Sequence, residues 1–147
     1  MSKGALWALV WLTFSMFEIR TCAADSLLRR PTFAPGQEWS IKSSSTTTAK
    51  LIIGRIEPWS GRVVVEVTLV DVPIPQHLPG AGGTTIIGHM PFDDVALMES
   101  VDRLLAVNVS TASNFESGSR QWREAKGGVF TVSVEKAIEI IFQEIKR

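Results

Sequence analysis

The sequence predicts an α+β domain, in which a mainly antiparallel sheet of about five strands carries two to three helices packed on one face. Three observations lead to this fold class. Stretches rich in isoleucine and valine alternate with polar residues at the two-residue period of a strand. Proline and glycine interrupt these stretches at short intervals. Three other stretches repeat apolar residues at the spacing of one helix face, and neither an internal repeat nor a linker divides the chain.

Length and charge limit the classes of protein to which the chain can belong. Its 147 residues correspond to about one domain, which excludes a multidomain enzyme. Basic and acidic residues number 15 each, and removal of Lys3, Arg20 and Glu18 with the amino-terminal segment leaves one net negative charge. This balance predicts no nucleic-acid partner and no other polyanionic partner. With 45% apolar residues, the domain should fold without a disulfide or a metal.

Residues 1–24 have the three-part order of a secretory signal peptide. Lys3 precedes thirteen mostly apolar residues, 5–17, and a run of small residues ends at Ala24. A helix of that length rises only about 20 Å, less than the roughly 30 Å of a bilayer core, so it is too short for a permanent span. We expect cleavage near Ala24, which leaves residues 25–147 as a single periplasmic or secreted domain without an integral membrane span.

Cys22 is the only cysteine, which excludes an internal disulfide and a cysteine-ligated metal site. Two alternative locations depend on the same region. Acylation of Cys22 would anchor the chain to a membrane, although Arg20 stands where lipoprotein processing sites have small or aliphatic residues. Translation from Met16 would instead produce a cytoplasmic protein.

The first half of the mature chain is predicted to form strands. We expect order from about residue 35, and then a strand over residues 37–42 because apolar and polar residues alternate there. Six serines and threonines, 43–48, follow as a solvated loop. The isoleucine- and valine-rich residues 50–72 predict a β-hairpin whose turn is Pro58-Trp59-Ser60-Gly61.

The second arm of this hairpin has two unlike faces. The apolar face consists of Val63, Val65, Val67 and Leu69, whereas the mixed face consists of Val64, Glu66, Thr68 and Val70. One face should therefore meet the core, while the other is at least partly wet. Glu57 and Glu66 sit on opposite arms of the hairpin, and we expect both carboxylates to face solvent.

The next part of the chain is predicted to be a loop, a strand and a helix. Residues 73–83 form a proline- and glycine-rich surface loop, and residues 84–90 form a strand that Pro91 stops. Asp93 or Asp94 caps the helix that follows. The apolar face of that helix contains Leu97, Met98, Val101, Leu104 and Leu105.

A second helix, a strand and a terminal helix complete the predicted fold. The second helix is indicated by Phe115, Gly118, Trp122 and Ala125, which recur at helical intervals. Residues 129–134 are predicted to return as a strand. The terminal helix has an apolar stripe of Ala137, Ile138, Ile141, Phe142 and Ile145.

The sequence predicts neither a cofactor nor a metal. The glycine-rich run 80–83 enters a strand rather than a helix, and no Gly-Lys-Ser/Thr motif follows it, so it is not a phosphate-binding loop. His77 and His89 lack the short spacing of paired metal ligands. Asp93 and Asp94 could add oxygen ligands beside His89, but capping of a helix explains that pair better.

Four residues are our candidates for binding: Trp59, His89, Trp122 and Arg123. Trp59 lies at the predicted hairpin tip, and Trp122 lies next to Arg123, so the two rings could stack on a sugar and the guanidinium could hold an anion. Packing in the core is the alternative for Trp122.

Catalytic residues are not predicted by any nucleophile motif, since no serine lies in a Gly-x-Ser-x-Gly sequence. The alternative is a small hydrolase or lyase in which His89 acts as a general base. Asp93, Glu66 or Arg123 would then converge on this imidazole in a concave pocket. Hydrogen bonding of the imidazole to nearby backbone would instead make it structural. We expect no reactive cluster of imidazole, carboxylate and guanidinium.

Five blocks resemble a group of small uncharacterised bacterial proteins. In chain order they are PGQEWS (35–40), IGRIE (53–57), GHMPF (88–92), WREA (122–125) and GGVFTVSV (127–134). This resemblance implies a bacterial origin and a shared small fold, but it brings no activity and no assigned site. The stretch between the fourth and fifth blocks is longer in proteins with this pattern, so no function is carried over to that turn.

We therefore expect a small exported bacterial protein without catalytic activity. Its mixed sheet face and its loops at Trp59 and at residues 73–83 would bind a partner protein or an envelope component. The prediction includes no metal and no cofactor.

Overall fold

The computed structural model describes residues 32–42 and 48–145. Those residues form a sheet with the strand order β4-β3-β2-β1-β5, in which every neighbouring pair is antiparallel. The strands are β1 (Glu38–Ile41), β2 (Lys50–Trp59), β3 (Arg62–Pro73), β4 (Thr84–Asp93) and β5 (Val101–Ala106). The helices are α1 (Asp94–Ser100), α2 (Phe115–Glu124) and α3 (Val134–Ile145).

The predicted fold class is confirmed: the domain is α+β, with an antiparallel sheet of five strands and three helices in the described part of the chain. The predicted signal peptide, with Met16 and Cys22, and residues 43–47 of the predicted serine and threonine loop lie outside the described residues. Of the helices that the structure describes, none combines the length and the apolar character needed to cross a bilayer.

The β2–β3 hairpin is the longest pairing in the sheet. Its final pair is Trp59 with Arg62, so the turn consists of Ser60 and Gly61 alone. Both turn residues have positive φ, 48° and 80°, as a two-residue turn of type I′ requires to match the twist of the strands. The short turn fixes the pairing of the two arms and carries Trp59 to the tip of the hairpin.

The two faces of the sheet are covered by different helices. One face packs against α1 and α3 and forms the apolar core, whose members include Leu51, Val65, Val67, Leu69, Met90, Phe92, Leu97, Val134, Ile138 and Phe142. The opposite face carries Val64, Glu66 and Thr68, since successive strand residues point to opposite sides. Residues of α2 contact this second face. Two helices thus share one face, as predicted, and the third lies on the other.

The mixed face of β3 is half-exposed only at Val70, and the expectation that it is wet is wrong for the rest of the face. Val64, Glu66 and Thr68 are all fully buried. Glu66 is covered by α2, and the Ala112 amide, just before that helix, donates to the Thr68 hydroxyl at 3.2 Å. The sequence predicts α2 as a helix, but its position on this face depends on contacts that are distant in the chain.

The predicted helix from Asp93 ends earlier than its apolar pattern indicates. Asp93 does cap α1, because its side chain accepts a hydrogen bond from the Val95 amide at 3.1 Å. The helix stops at Ser100, however, and Val101–Ala106 pair with β1 as an edge strand. Leu104 and Leu105 are consequently 41% and 39% exposed instead of sharing a buried helix face. The available backbone groups along β1 explain the change, since an apolar run this short fits both structures.

The predicted strand over residues 129–134 is a single bridge. Phe130 pairs in parallel with Phe92, and its amide donates to the Pro91 carbonyl at 2.9 Å. Ser133 then ends the extended run, because its hydroxyl accepts from the Lys136 amide at 3.2 Å at the start of α3. A serine in this capping position favours the helix over further strand.

Gly54 permits the close approach of α2 to the sheet. The register shift between Ile53 and Arg55 makes Gly54 the extra residue of a β-bulge. A Cβ atom at this position would lie 2.3 Å from Cζ of Phe115. The aromatic ring of α2 therefore occupies the space that any larger residue would need.

Replacement of this glycine should weaken the fold. We expect Gly54→Ala to lower the free energy of unfolding by about 1–3 kcal/mol, because the added methyl must displace the Phe115 ring. Gly128→Ala is the matched control, since a Cβ there meets nothing within 4 Å, and its effect should stay below about 0.5 kcal/mol. Urea unfolding followed by tryptophan fluorescence measures both. Equal stability of the two variants would contradict the close approach.

Candidate functional site

A buried carboxylate lies at the centre of the face that α2 covers. The Glu66 side chain is 0% exposed, and both of its oxygens have partners. Oε2 accepts a hydrogen bond from Nε2 of His89 at 2.7 Å, and Oε1 accepts from a terminal nitrogen of Arg123 at 2.9 Å. A guanidinium nitrogen of Arg55 lies 3.8 Å from Oε1. Imidazole, carboxylate and guanidinium therefore meet at one buried point.

The strand register places these groups next to each other. Met90 pairs with Val67 on the core face, so its neighbour His89 points to the opposite face, where Glu66 lies. Arg55 is the direct cross-strand partner of Glu66 in the hairpin. Arg123 reaches the same carboxylate from α2. Three strands and one helix thus contribute ionisable groups to a single point.

Ser119 connects the two arginines beneath the helix. Its hydroxyl oxygen accepts from Arg55 at 2.7 Å and from Arg123 at 3.1 Å. Ser119 and Arg123 are four residues apart on α2 and so lie on the same side of it. In the described residues, every buried polar side-chain atom has a hydrogen-bond partner. The cluster is therefore satisfied internally.

Two further carboxylates compensate the arginines at the edge of the cluster. Glu57 accepts from Nε of Arg123 at 3.0 Å. Glu116 accepts from Arg55 at 2.9 Å and is 73% exposed. Because the inner carboxylate is shared while the outer ones reach solvent, the charge of each arginine is balanced without leaving an unpaired ion in the interior.

The partners of Glu66 keep it ionised. Burial by itself would raise the pKa of this carboxyl, but hydrogen bonds from His89, Ser119 and Arg123 lower it, so that the pKa falls from its ordinary value of 4.5 to about 2. Burial opposes the charge of Arg123, yet Glu66 and Glu57 raise its pKa. An ionised carboxylate only accepts hydrogen bonds, so Nε2 of His89 carries the hydrogen.

Aromatic rings cover the imidazole. His89 contacts Phe115 and Trp122, with ring centroids 5.6 Å and 5.8 Å away, and its side chain is 8% exposed. Trp122 in turn stacks on Trp59 at 4.4 Å. The indole nitrogen of Trp122 donates to the Gly128 carbonyl at 2.8 Å. The polar cluster is thus closed from above by α2 and its aromatic residues.

The structure brings the four candidate binding residues together. Trp59 contacts Trp122, Trp122 contacts His89, and His89 and Arg123 share the Glu66 carboxylate. Contact between these residues does not test whether any of them binds a ligand.

Asp93, the proposed catalytic partner of His89, has a different role. It caps α1 and accepts from Arg62 at 3.2 Å. The carboxylate at His89 is instead Glu66. The expectation that Glu66 faces solvent is wrong because α2 lies over it, whereas Glu57 is half-buried at the rim.

Arg55, Ser119 and Glu116 were not among the predicted site residues. One signal for Arg55 was present in the sequence. A two-residue turn at Ser60 and Gly61 pairs Trp59 with Arg62, and counting back along both arms pairs Arg55 with Glu66, as observed. The docking of α2 that brings in Ser119 and Glu116 has no comparable local signal.

Within the described residues, two open grooves lie beside predicted loops. The hairpin groove has a volume of about 350 Å³ and is lined by Trp59, Ser60, Arg62, Gly127, Gly128, Val129 and Thr131. The proline groove has a volume of about 370 Å³ and lies between residues 73–77 and one side of α3, including Ile138 and Phe142. His77 lines the proline groove, and neither groove is lined by His89.

Loss of the central charge should destabilise the protein strongly. We expect Glu66→Gln to lower the free energy of unfolding by about 3–5 kcal/mol at neutral pH, because it removes the fully buried anion that Arg123 and Arg55 share and leaves them only the outer carboxylates. Glu116→Gln is the matched control at the exposed end of the network, and its cost should be below about 1 kcal/mol. Chemical denaturation of both variants provides the measurement. A small effect of Glu66→Gln would show that the buried pairing contributes little.

The pairing of Glu66 should also determine how the free energy of unfolding changes with pH in the acidic range. Because the folded pKa of Glu66 is depressed from 4.5 to about 2, its stabilising contribution is complete above pH 4.5 and is lost as the pH falls to about 2. The stability difference between wild type and Glu66→Gln should shrink over this window. Carbon-13 NMR of the Glu66 carboxyl measures the folded titration directly. A titration midpoint of the Glu66 carboxyl near its ordinary pKa of 4.5 would show that its partners do not stabilise the charge.

The buried cluster around Glu66 and the two surface grooves are the features of this domain that bear on its function. In the described part of the chain, no group of three or more histidine, cysteine, aspartate or glutamate side chains is arranged to hold a metal ion. Comparisons of the sequence and the structure with protein-family models, curated proteins and solved structures find no match.

Proposed function

We propose that this chain is a small exported bacterial domain that binds a partner protein or an envelope component and does not catalyse a reaction. The observation that carries the proposal is the contrast between the closed polar cluster and the open grooves. Glu66, Ser119 and the His89 imidazole are buried and hydrogen-bonded to one another's partners under α2, whereas the loops form concave surface.

The charged cluster is poorly suited to acid–base catalysis. A general base must reach the proton that it removes, and its pKa should lie near the working pH. Glu66 is fully buried and has a pKa of about 2. The Ser119 hydroxyl is also buried and accepts from two arginines. These properties support a structural role, in which the cluster attaches α2 to the sheet.

The grooves support binding by the loops rather than by the sheet. Since α2 and the segment before it cover the mixed face of β3, that face offers no free surface at Glu66 or Thr68. The loop at Trp59 lines the hairpin groove, and the start of the loop over residues 73–83 lines the proline groove. Both loops are held by regular structure on either side, which limits the entropy lost on binding.

Export is supported by the leader pattern of residues 1–24, and the bacterial origin by the resemblance of the sequence blocks. We propose a periplasmic or secreted location on this basis. Anchoring through an acylated Cys22 and a cytoplasmic protein started at Met16 are the two alternatives.

One observation favours the alternative function, a hydrolase or lyase centred on His89. Its imidazole lies 2.7 Å from a carboxylate, with a guanidinium on the other carboxylate oxygen. This arrangement resembles the base and orienting acid of catalytic triads. A substrate could not reach the imidazole in this arrangement, because aromatic rings and α2 cover it.

Capture from envelope extract tests the proposed function. The immobilised mature domain, residues 25–147, should retain a specific component that Trp59→Ala or His77→Ala loses, since these residues line the two grooves. Ile86→Ala, at a 59% exposed position on β4, is the surface control and should retain it. Thermal melting verifies that each variant is folded.

Two results would count against binding as the function. One is that the wild type retains nothing beyond what the groove variants retain. The other is hydrolysis of p-nitrophenyl acetate by the wild type at a rate that His89→Gln abolishes, which would support the catalytic alternative.

A further inference from the structure

The hairpin groove has two walls from distant parts of the sequence. One wall is the β2–β3 turn with Trp59, Ser60 and Arg62, and the other is the segment from Gly127 to Thr131. Its volume of about 350 Å³ is at the lower end of the roughly 300–1,000 Å³ typical of small-molecule sites. The groove is therefore large enough for a small ligand or the end of a longer one.

Trp122 holds the two walls in place. Its ring stacks on Trp59 at 4.4 Å, and its indole nitrogen donates to the Gly128 carbonyl at 2.8 Å. The Gly127 amide donates to the Trp122 carbonyl at 2.9 Å. A Cβ at Gly127 would lie 2.2 Å from Cδ1 of Trp122, so the ring needs glycine there. The aromatic residue of the groove is thus positioned before any ligand binds.

The charge of the groove is compensated. Arg62 is the only ionisable residue that lines it, and its guanidinium donates to Asp93 at 3.2 Å. Asp93 is itself held in place as the cap of α1. An anionic ligand would therefore have to compete with a fixed carboxylate for one partly exposed cation. A neutral ligand meets no such competition.

We propose that the hairpin groove binds a neutral saccharide. The face of a sugar ring carries C–H groups that pack on an indole such as Trp59, while its hydroxyl groups both donate and accept hydrogen bonds. Ser60 and Thr131 provide hydroxyls on opposite walls, and Arg62 provides N–H donors. This inference depends on the proposed binding function and names the class of its ligand.

A nucleoside is the alternative ligand, but it fits the lining of the hairpin groove less well. A flat base would also stack on Trp59, but recognition of a base relies on hydrogen bonds to its edge in the plane of the ring. The hydroxyls of Ser60 and Thr131 on two facing walls instead match a ring with polar groups around its whole rim.

Titration with defined sugars tests the proposal. The mature domain would be labelled with nitrogen-15 and titrated with triacetylchitotriose, maltotriose and cellotriose, and with adenosine and inorganic phosphate as non-saccharide probes. We expect at least one sugar to shift the Trp59 indole signal and the Gly127 and Gly128 amides. The two non-saccharide probes should leave these signals unchanged.

Variants assign the binding to the groove. Trp59→Ala should weaken binding of that sugar by about tenfold or more, as expected for loss of an aromatic anchor, and Trp59→Phe should retain part of the affinity. Gly128→Leu fills the groove where a Cβ meets nothing within 4 Å, so it should abolish binding while the melting temperature stays unchanged. Ile86→Ala, at an exposed position of β4 that does not line the hairpin groove, should bind like the wild type.

Each other result overturns the proposal. No shift with any of the three sugars excludes the saccharide class, as does a shift in these signals with adenosine or phosphate alone. Sugar binding that survives Gly128→Leu places the ligand elsewhere. Capture from envelope extract separates the two levels of inference: a specific component without sugar binding removes only the ligand class, whereas failure of both removes the binding function.

Discussion

The buried carboxylate of Glu66 is the group on which the arrangement of this domain depends. A charge removed from water is costly unless cationic and hydrogen-bonding groups surround it. Here the partners come from β4 and α2, with Arg55 of β2 close by. Folding therefore has to bring α2 onto the sheet in one position, because any other position leaves the carboxylate or Arg123 without its partner.

The two faces of the sheet contribute in different ways. Apolar side chains between the sheet and α1 and α3 supply nondirectional burial. The other face combines a ring contact at Gly54 with a charged network that is directional. The placement of α2 also fixes the positions of the loops at Trp59 and Gly128, because the side chain of Trp122 extends from this helix and contacts both. The charged network on the second face thus helps to position the surface around Trp59.

Local sequence patterns predict the structure correctly where the conformation of a short segment depends only on neighbouring residues. The hairpin around Ser60 and Gly61 and the Asp93 cap were predictable because turn geometry and capping involve neighbouring residues. Residues 101–106 were wrongly expected to be helical because leucine and valine at that spacing suit both a helix and an edge strand, and only pairing with β1 decides between them.

The sequence by itself determined the fold class, the long hairpin and the residue types available for a site, since these follow from periodicity and from turn and cap chemistry. Tertiary structure alone decided which of those residues meet. Glu66 looked like a solvated strand residue because nothing near it in the chain shows that α2 will cover it. Partners as far apart as Glu66 and Arg123 are joined by packing and charge pairing, which act between elements rather than along the chain.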